Sequence, residues 1–178
     1  MIHLARHGQT AYNAEGRFQG HLPVPLDDTG REQARALAEA AARIQLRSLW
    51  CSPLARARET ADIVAARIGL RPRPDARFAE TDTGDWTGRS FAEIEAEDPE
   101  GFRRFQVSDP GFRYPGGESF AEQSERVQAG LRDVRSQPEA LPALVVCHRG
   151  VIRLALAAAT GDHTAGGREI ANATMVSL

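Results

Sequence analysis

The sequence predicts an α/β protein, a three-layer α/β/α sandwich around a mostly parallel sheet. Three observations predict it. Short apolar runs alternate with amphipathic helical patterns along the 178 residues, the rhythm of strand–helix units. Several helical patterns open on an explicit start signal. The length fits one domain, residues 1–178, and is enough for a substantial core.

The strands come first. "IHLAR" (2–6) and "RSLWCS" (47–52) read as short buried strands. "ARFAE" (76–80) is a weaker strand, "ALVVCH" (143–148) a strong one, and "ATMVSL" (173–178) closes the chain. Between them lie helices. Residues 30–45 put Ala34, Leu37, Ala38, Ala41 and Ile44 on one face. Residues 53–68 do so with Leu54, Ala57, Ala61, Val64, Ala65 and Ile68, and residues 119–135 with Phe120, Val127, Leu131 and Val134. Thr29-x-x-Glu32, Ser90-x-x-Glu93 and Ser119-x-x-Glu122 have capping-box spacing. Ser52-Pro53 offers an N-cap with proline at the first helical position. Gly69 and Gly161 are expected helix stops. The stretch 84–117 breaks the rhythm with aromatic clusters and three prolines, and is expected to be a helical excursion over the sheet.

Composition excludes several functions. Net charge is −2, which argues against nucleic acid or an acidic membrane as partner. No run of about eighteen apolar residues exists, so no membrane span is expected. The start "MIHLARHG" lacks a signal-peptide pattern, and a strand from residue 2 leaves no room for one. A cytoplasmic location is the expectation, with a homodimer compatible with the sequence. All 22 basic residues are arginine, which rules out a Schiff-base or P-loop lysine. Cys51 and Cys147 lack metal or thioredoxin spacing and are expected to be buried, reduced thiols.

In open α/β sheets, ligands bind beyond the carboxyl ends of the strands. Those ends here carry Arg6-His7-Gly8, Ser52-Pro53 leading to Arg56, Glu80, and His148-Arg149-Gly150. Two histidines, arginines and a glutamate would converge on one rim. Such a set suits a phosphomonoester. Guanidinium groups bind its charge through forked hydrogen bonds. A histidine beside them has a lowered pKa, stays neutral and can attack phosphorus. Gly8 is expected to let backbone approach the ligand. A carboxyl can protonate the leaving oxygen. Asp82 and Asp85 lie near Glu80, and on residue type alone any of the three fits that role.

"LARHGQTAYNAEGRFQG" (4–20) resembles the signature of the histidine phosphatase superfamily, the phosphoglycerate mutase-like fold. The likeness continues through "CSPLARARETA", "ETDTGDWTG", "YPGGESF" and "VVCHRGVIR". It implies that His7 becomes a phosphohistidine, and that Arg6, Arg56 and His148 hold the phosphoryl group. It implies Asn13 and Gln19 as further phosphate contacts and Glu80 as the general acid. It implies no metal and no cofactor. Two positions depart from the pattern. Arg149 replaces a small residue, and it either swings outward or crowds the mouth and adds a phosphate or substrate contact. Pro23 stands where an acidic residue is frequent. The function implied is hydrolysis of small phosphorylated metabolites, of the broad-specificity or α-ribazole phosphate phosphatase kind. The alternatives are a phosphoglycerate mutase and a non-catalytic phospho-ligand binding module.

Overall fold

The computed structural model describes residues 1–161 and 170–178. Its strands are β1 (Ile2–Arg6), β2 (Ser48–Cys51), β3 (Pro72–Pro74), β4 (Ala143–Cys147) and β5 (Met175–Ser177). They form one sheet in the order β3-β2-β4-β1-β5. The first four are parallel and β5 runs antiparallel on the edge, so the sheet is mixed.

Helices cover both faces. α2 (Asp28–Ala42) and α3 (Ala55–Ile68) bury Leu37, Ala38, Ala57, Ala61 and Val64 against Ala5, Leu49, Leu144 and Val146. α6 (Phe120–Arg135) and α7 (Arg149–Thr160) bury Val127, Leu131, Val151 and Ile152 against Ile2, Leu4 and Val145. Alternate residues of each strand thus feed opposite cores, as the two-residue strand period dictates. Cys51 belongs to the first core and Cys147 to the second. Both are buried free thiols on opposite faces of the sheet, which a disulfide cannot bridge.

Residues 84–117 form α4 (Phe91–Glu97) and α5 (Pro99–Gln106) with flanking loops. Their Trp86, Ile94, Phe102, Phe112 and Tyr114 pack with Phe18 and Phe120 into a third cluster, separate from the two sheet-face cores. Phe18 lies 4.6 Å from Phe91 and 5.1 Å from Trp86, ring centre to ring centre. A short helix α1 (Ala11–Ala14), capped by Thr10, precedes this cluster in the chain.

Four local expectations need correction. The N-cap of α2 is Asp27, not Thr29; the Asp27 carboxylate accepts from Gly30 N at 2.7 Å, and the helix starts earlier than the periodicity suggests. Ile44 lies beyond the end of that helix. Ser52 does not cap a helix at Pro53, because its hydroxyl is engaged by the His148 ring and Leu54 N, and α3 begins at Ala55. "ARFAE" is not a strand. Asp75 accepts from Arg77 N at 2.9 Å and draws Ala76–Phe78 into a 3₁₀ turn. The strand sits earlier, at Pro72–Pro74, on the sheet edge where prolines are tolerated. Gly69 and Gly161 do close α3 and α7 in the left-handed conformation, and Ser90 and Ser119 form their capping boxes.

Candidate active site

Parallel pairing of β1 with β4 sets Arg6 level with Cys147, so the next residues, His7 and His148, leave the sheet side by side. Their ring centres are 5.2 Å apart. Neither is exposed: His7 retains 2% of its surface and His148 none.

His7 Nδ1 lies 2.6 Å from the carbonyl oxygen of Gly8. A carbonyl only accepts, so Nδ1 carries the proton and donates. The lone pair of the neutral ring is therefore on Nε2. Burial, then Arg56, then Arg6 hold the pKa of His7 well below 6.5, against the opposing effect of the Gly8 carbonyl. The sequence predicts the arginine effect; desolvation is the larger cause. The same order applies to His148, where burial leads and Arg56 follows. His148 Nε2 is 2.7 Å from Ser52 Oγ, and its Nδ1 is buried without a partner among the described residues.

A cavity opens beside His7. Among the described residues Arg6, Arg17, Arg56, Arg149 and Arg153 line it, with Glu80 the one lining carboxylate. The excess of guanidinium groups over carboxylates among these described residues suits an anion. Arg56 is 1% exposed, anchored through Nη2 to Gly20 O at 2.9 Å, and burial brings its pKa down to about 10, which leaves it charged at neutral pH. Asn13 and Gln19 also line the cavity. The Asn13 carbonyl oxygen accepts from Thr10 N and Asn172 Nδ2, and that of Gln19 accepts from Thr10 Oγ1 at 2.8 Å. With their oxygens tied to protein, both amides have N–H groups left for a ligand.

Glu80 is held more tightly than its loop position suggests. Its Oε1 accepts from Thr81 N at 3.0 Å and from Gln123 Nε2 at 3.3 Å. Its Oε2 has no partner among the described residues. The Glu80 carbonyl accepts from Arg126 Nη2 at 3.1 Å and His21 Nε2 at 2.8 Å. Arg126 also donates to the Arg77 and Ala79 carbonyls and pairs with Glu118 at 2.6 Å. Asp82 and Asp85 are elsewhere: Asp82 caps Gly84 N at 3.0 Å and Asp85 lies against Gly116, and neither lines the cavity.

The two glycines of the motifs have distinct tasks. A Cβ on Gly150 would stand 2.5 Å from Glu80 Oε1, so glycine makes room for the carboxyl. A Cβ on Gly8 would stand 2.3 Å from Gly30 O. Gly8 thus serves a close crossing with the start of α2, not an approach to ligand.

Of the eight residues singled out in the sequence, Arg6, His7, Asn13, Gln19, Arg56, Glu80 and Arg149 line the cavity; His148, its ring 5.2 Å from that of His7, does not. Arg149 faces inward. Sequence reasoning missed Gln123, Arg126 and His21, which hold Glu80, and Arg17 and Arg153, which line the cavity. Arg153 was legible in principle: it lies one helical turn after Arg149, on the same face. His163 lies outside the described residues. Among the described residues no three His, Cys, Asp or Glu side chains are placed to hold a metal ion.

The family model of the histidine phosphatase superfamily (branch 1) matches residues 2–178. A probable phosphoglycerate mutase GpmB of Enterobacter sp. is 40% identical over 150 residues, 83% of this chain and 69% of that one. The structure of a mycobacterial glucosyl-3-phosphoglycerate phosphatase superposes with a TM-score of 0.89 at 32% identity, covering 98% of this chain and 88% of that one. A putative alpha-ribazole-5'-P phosphatase from Escherichia coli superposes with a TM-score of 0.78 at 30% identity, covering 88% and 77%. Motif order, sheet topology and these likenesses agree: the chain belongs to the histidine phosphatase superfamily, branch 1, and is an enzyme of that class.

Proposed function

We propose that the chain hydrolyses monophosphate esters of small metabolites through a phosphohistidine on His7, with residues 1–178 acting as one catalytic unit. One observation carries this reading: His7 is neutral, its Nδ1 is fixed by Gly8, and among the described residues five arginines and one carboxyl line the cavity it borders. In the first step the His7 Nε2 lone pair attacks phosphorus and the ester P–O bond breaks. The departing oxygen takes a proton from Glu80. Donors from Thr81 and Gln123 already occupy Oε1, so that proton sits on Oε2. Arg6, Arg56 and the amides of Asn13 and Gln19 neutralise the transferring oxygens, with His148 Nδ1 behind them. Catalysis here is mostly positioning and charge stabilisation. In the second step Glu80 takes a proton from water as the water oxygen attacks phosphorus. Inorganic phosphate leaves, the electron pair returns to Nε2, and Gly8 still holds Nδ1–H.

The test is phosphate release from p-nitrophenyl phosphate and from a panel of phosphorylated metabolites, with His7→Ala as control. Release by the wild type and its loss in the variant support hydrolysis. Phosphate binding without turnover would favour a binding module. A phosphoglycerate mutase is the second reading, favoured by the name of the Enterobacter relative. Isomerisation of 3-phosphoglycerate primed with 2,3-bisphosphoglycerate, without free phosphate, would establish it instead. The short roof formed by 84–117 favours access of water and hence hydrolysis.

A further inference from the structure

The phosphoryl contacts proposed above leave two guanidinium groups on α7 without an assigned task. Arg153 is 7% exposed, yet it makes no hydrogen bond or ion pair among the described residues, and its Nη2 is buried. Arg149, one turn earlier, is half-buried, also lacks an ion pair among the described residues, and has a buried Nε without a partner. Both line the cavity. Ser108 lines it too, at the end of α5, with a buried hydroxyl lacking a partner and φ of 55°. Buried polar groups in native structures are almost always satisfied. Two cations one turn apart repel each other, and burial, followed by Arg149, lowers the pKa of Arg153 to about 10. Glu80 is the carboxylate that favours the cation, and no ion pair joins it to Arg153 among the described residues; the buried Tyr114 phenol, its pKa raised well above 10, stays neutral beside it. Such a pair is stable as a receptor for an anion supplied from outside.

We infer that Arg149 and Arg153 form a second anion subsite, so that the preferred substrate is a phosphate ester whose leaving group carries its own oxyanion, a carboxylate or a second phosphate. This rests on the phosphatase reading and adds a requirement to it. A neutral tail would leave both guanidinium groups unpaired in the complex. The flanking Phe105, Leu154 and Ala157 give the cavity apolar walls, which strengthens such a pairing by excluding water.

The test uses probes that cannot be hydrolysed, so it does not depend on turnover. Calorimetry compares propylphosphonate, 3-phosphonopropionate and propane-1,3-bisphosphonate on the full chain. The expected result is that at least one of the two doubly anionic probes binds ten-fold or more tightly than propylphosphonate. Which of the two binds tighter distinguishes a carboxylate from a second phosphate. Arg153→Gln and Arg149→Met should each remove most of that advantage and leave propylphosphonate affinity within about two-fold. Arg149 is half-exposed, so its variant is expected to fold even if the Arg153 variant does not. Equal affinity for all three probes, or equal losses for all three in both variants, would overturn the subsite. Failure of the phosphatase reading is read apart from this, as absent phosphate release from p-nitrophenyl phosphate. Should none of the phosphonates bind, subsite and phosphoryl site fall together.

Discussion

Two neutral, water-excluded imidazoles make the site sensitive to acid. The pKa values of His7 and His148 lie well below 6.5 in the folded chain, from burial first and Arg56 second. Unfolded, each titrates near 6.5. Above that pH neither form binds the proton. Below it the unfolded chain binds protons that the folded chain refuses, so stability falls with pH, by up to about 1.4 kcal/mol per pH unit for each histidine. The predicted outcome is a Tm that declines from pH 7 toward pH 5, with a shallower decline in His148→Gln, followed by thermal denaturation. At Glu80 the expected effect concerns chemistry. Glu80→Gln should lower kcat on alkyl phosphates by about 10²–10⁴-fold, the usual worth of a general acid. The loss should be smaller on p-nitrophenyl phosphate, whose leaving group needs no proton. Equal losses on both would remove Glu80 from the role. His7 and Arg56 could be picked out because they stand at a strand end or one turn beyond; Glu80 follows a 3₁₀ turn and was picked out by its motif instead. The partners of Glu80 were not readable, since Gln123 and Arg126 are polar residues of an ordinary amphipathic helix until the fold brings them across 43 and 46 positions.

Two helices divide the work of placing Glu80. α7 starts at the carboxyl end of β4 and presents Gly150 to the Glu80 carboxyl. Gly150→Ala should displace that carboxyl and reduce kcat on alkyl phosphates by roughly ten- to a hundred-fold, in line with the sensitivity of positioned groups. A near-normal Tm would accompany it, and unchanged alkyl phosphate turnover would show that the carboxyl tolerates the shift. α6 clamps the backbone on the other side. Arg126 is mostly buried with Glu118, and its guanidinium serves three carbonyls between Arg77 and Glu80. Arg126→Met leaves those acceptors and Glu118 without their donor. The expected loss is about 2–4 kcal/mol in denaturant unfolding, somewhat below that of a fully buried pair. At this scale the sequence was informative about helices, because Ser90 and Ser119 announce them with a hydroxyl and a glutamate at fixed spacing. It misled at Thr29 and at "ARFAE". In the first case the stronger carboxylate acceptor of Asp27 captured the helix start; in the second Asp75 turned the chain before a strand could form.

Across the whole molecule the sheet holds the phosphoryl side rigid, while the aromatic cluster of 84–117 builds the opposite wall. Trp86 is 3% exposed and contacts Phe18, Phe105, Phe112 and Tyr114. Trp86→Ala should cost about 3–5 kcal/mol, the range for a large core ring. It should also raise KM on ester substrates more than it lowers kcat, because the wall moves and His7 does not. The α/β alternation made the layers legible, and the aromatic richness of 84–117 marked an excursion. Side-chain direction was not legible, which is why Arg149 stayed open and Arg153 went unseen.

The neighbour relations of β1 carry a temporal consequence. Its ladder partners are β4 and β5, whose residues begin at Ala143 and Met175. During synthesis His7 emerges well before β4, the strand that scaffolds it. Until then the N-terminal segment has no edge to join, and such distant pairings are slow to close. Oxyanion capture therefore reports completed folding: truncated or nascent chains lacking residues past 142 should bind no phosphonate at all, however much helix they have acquired.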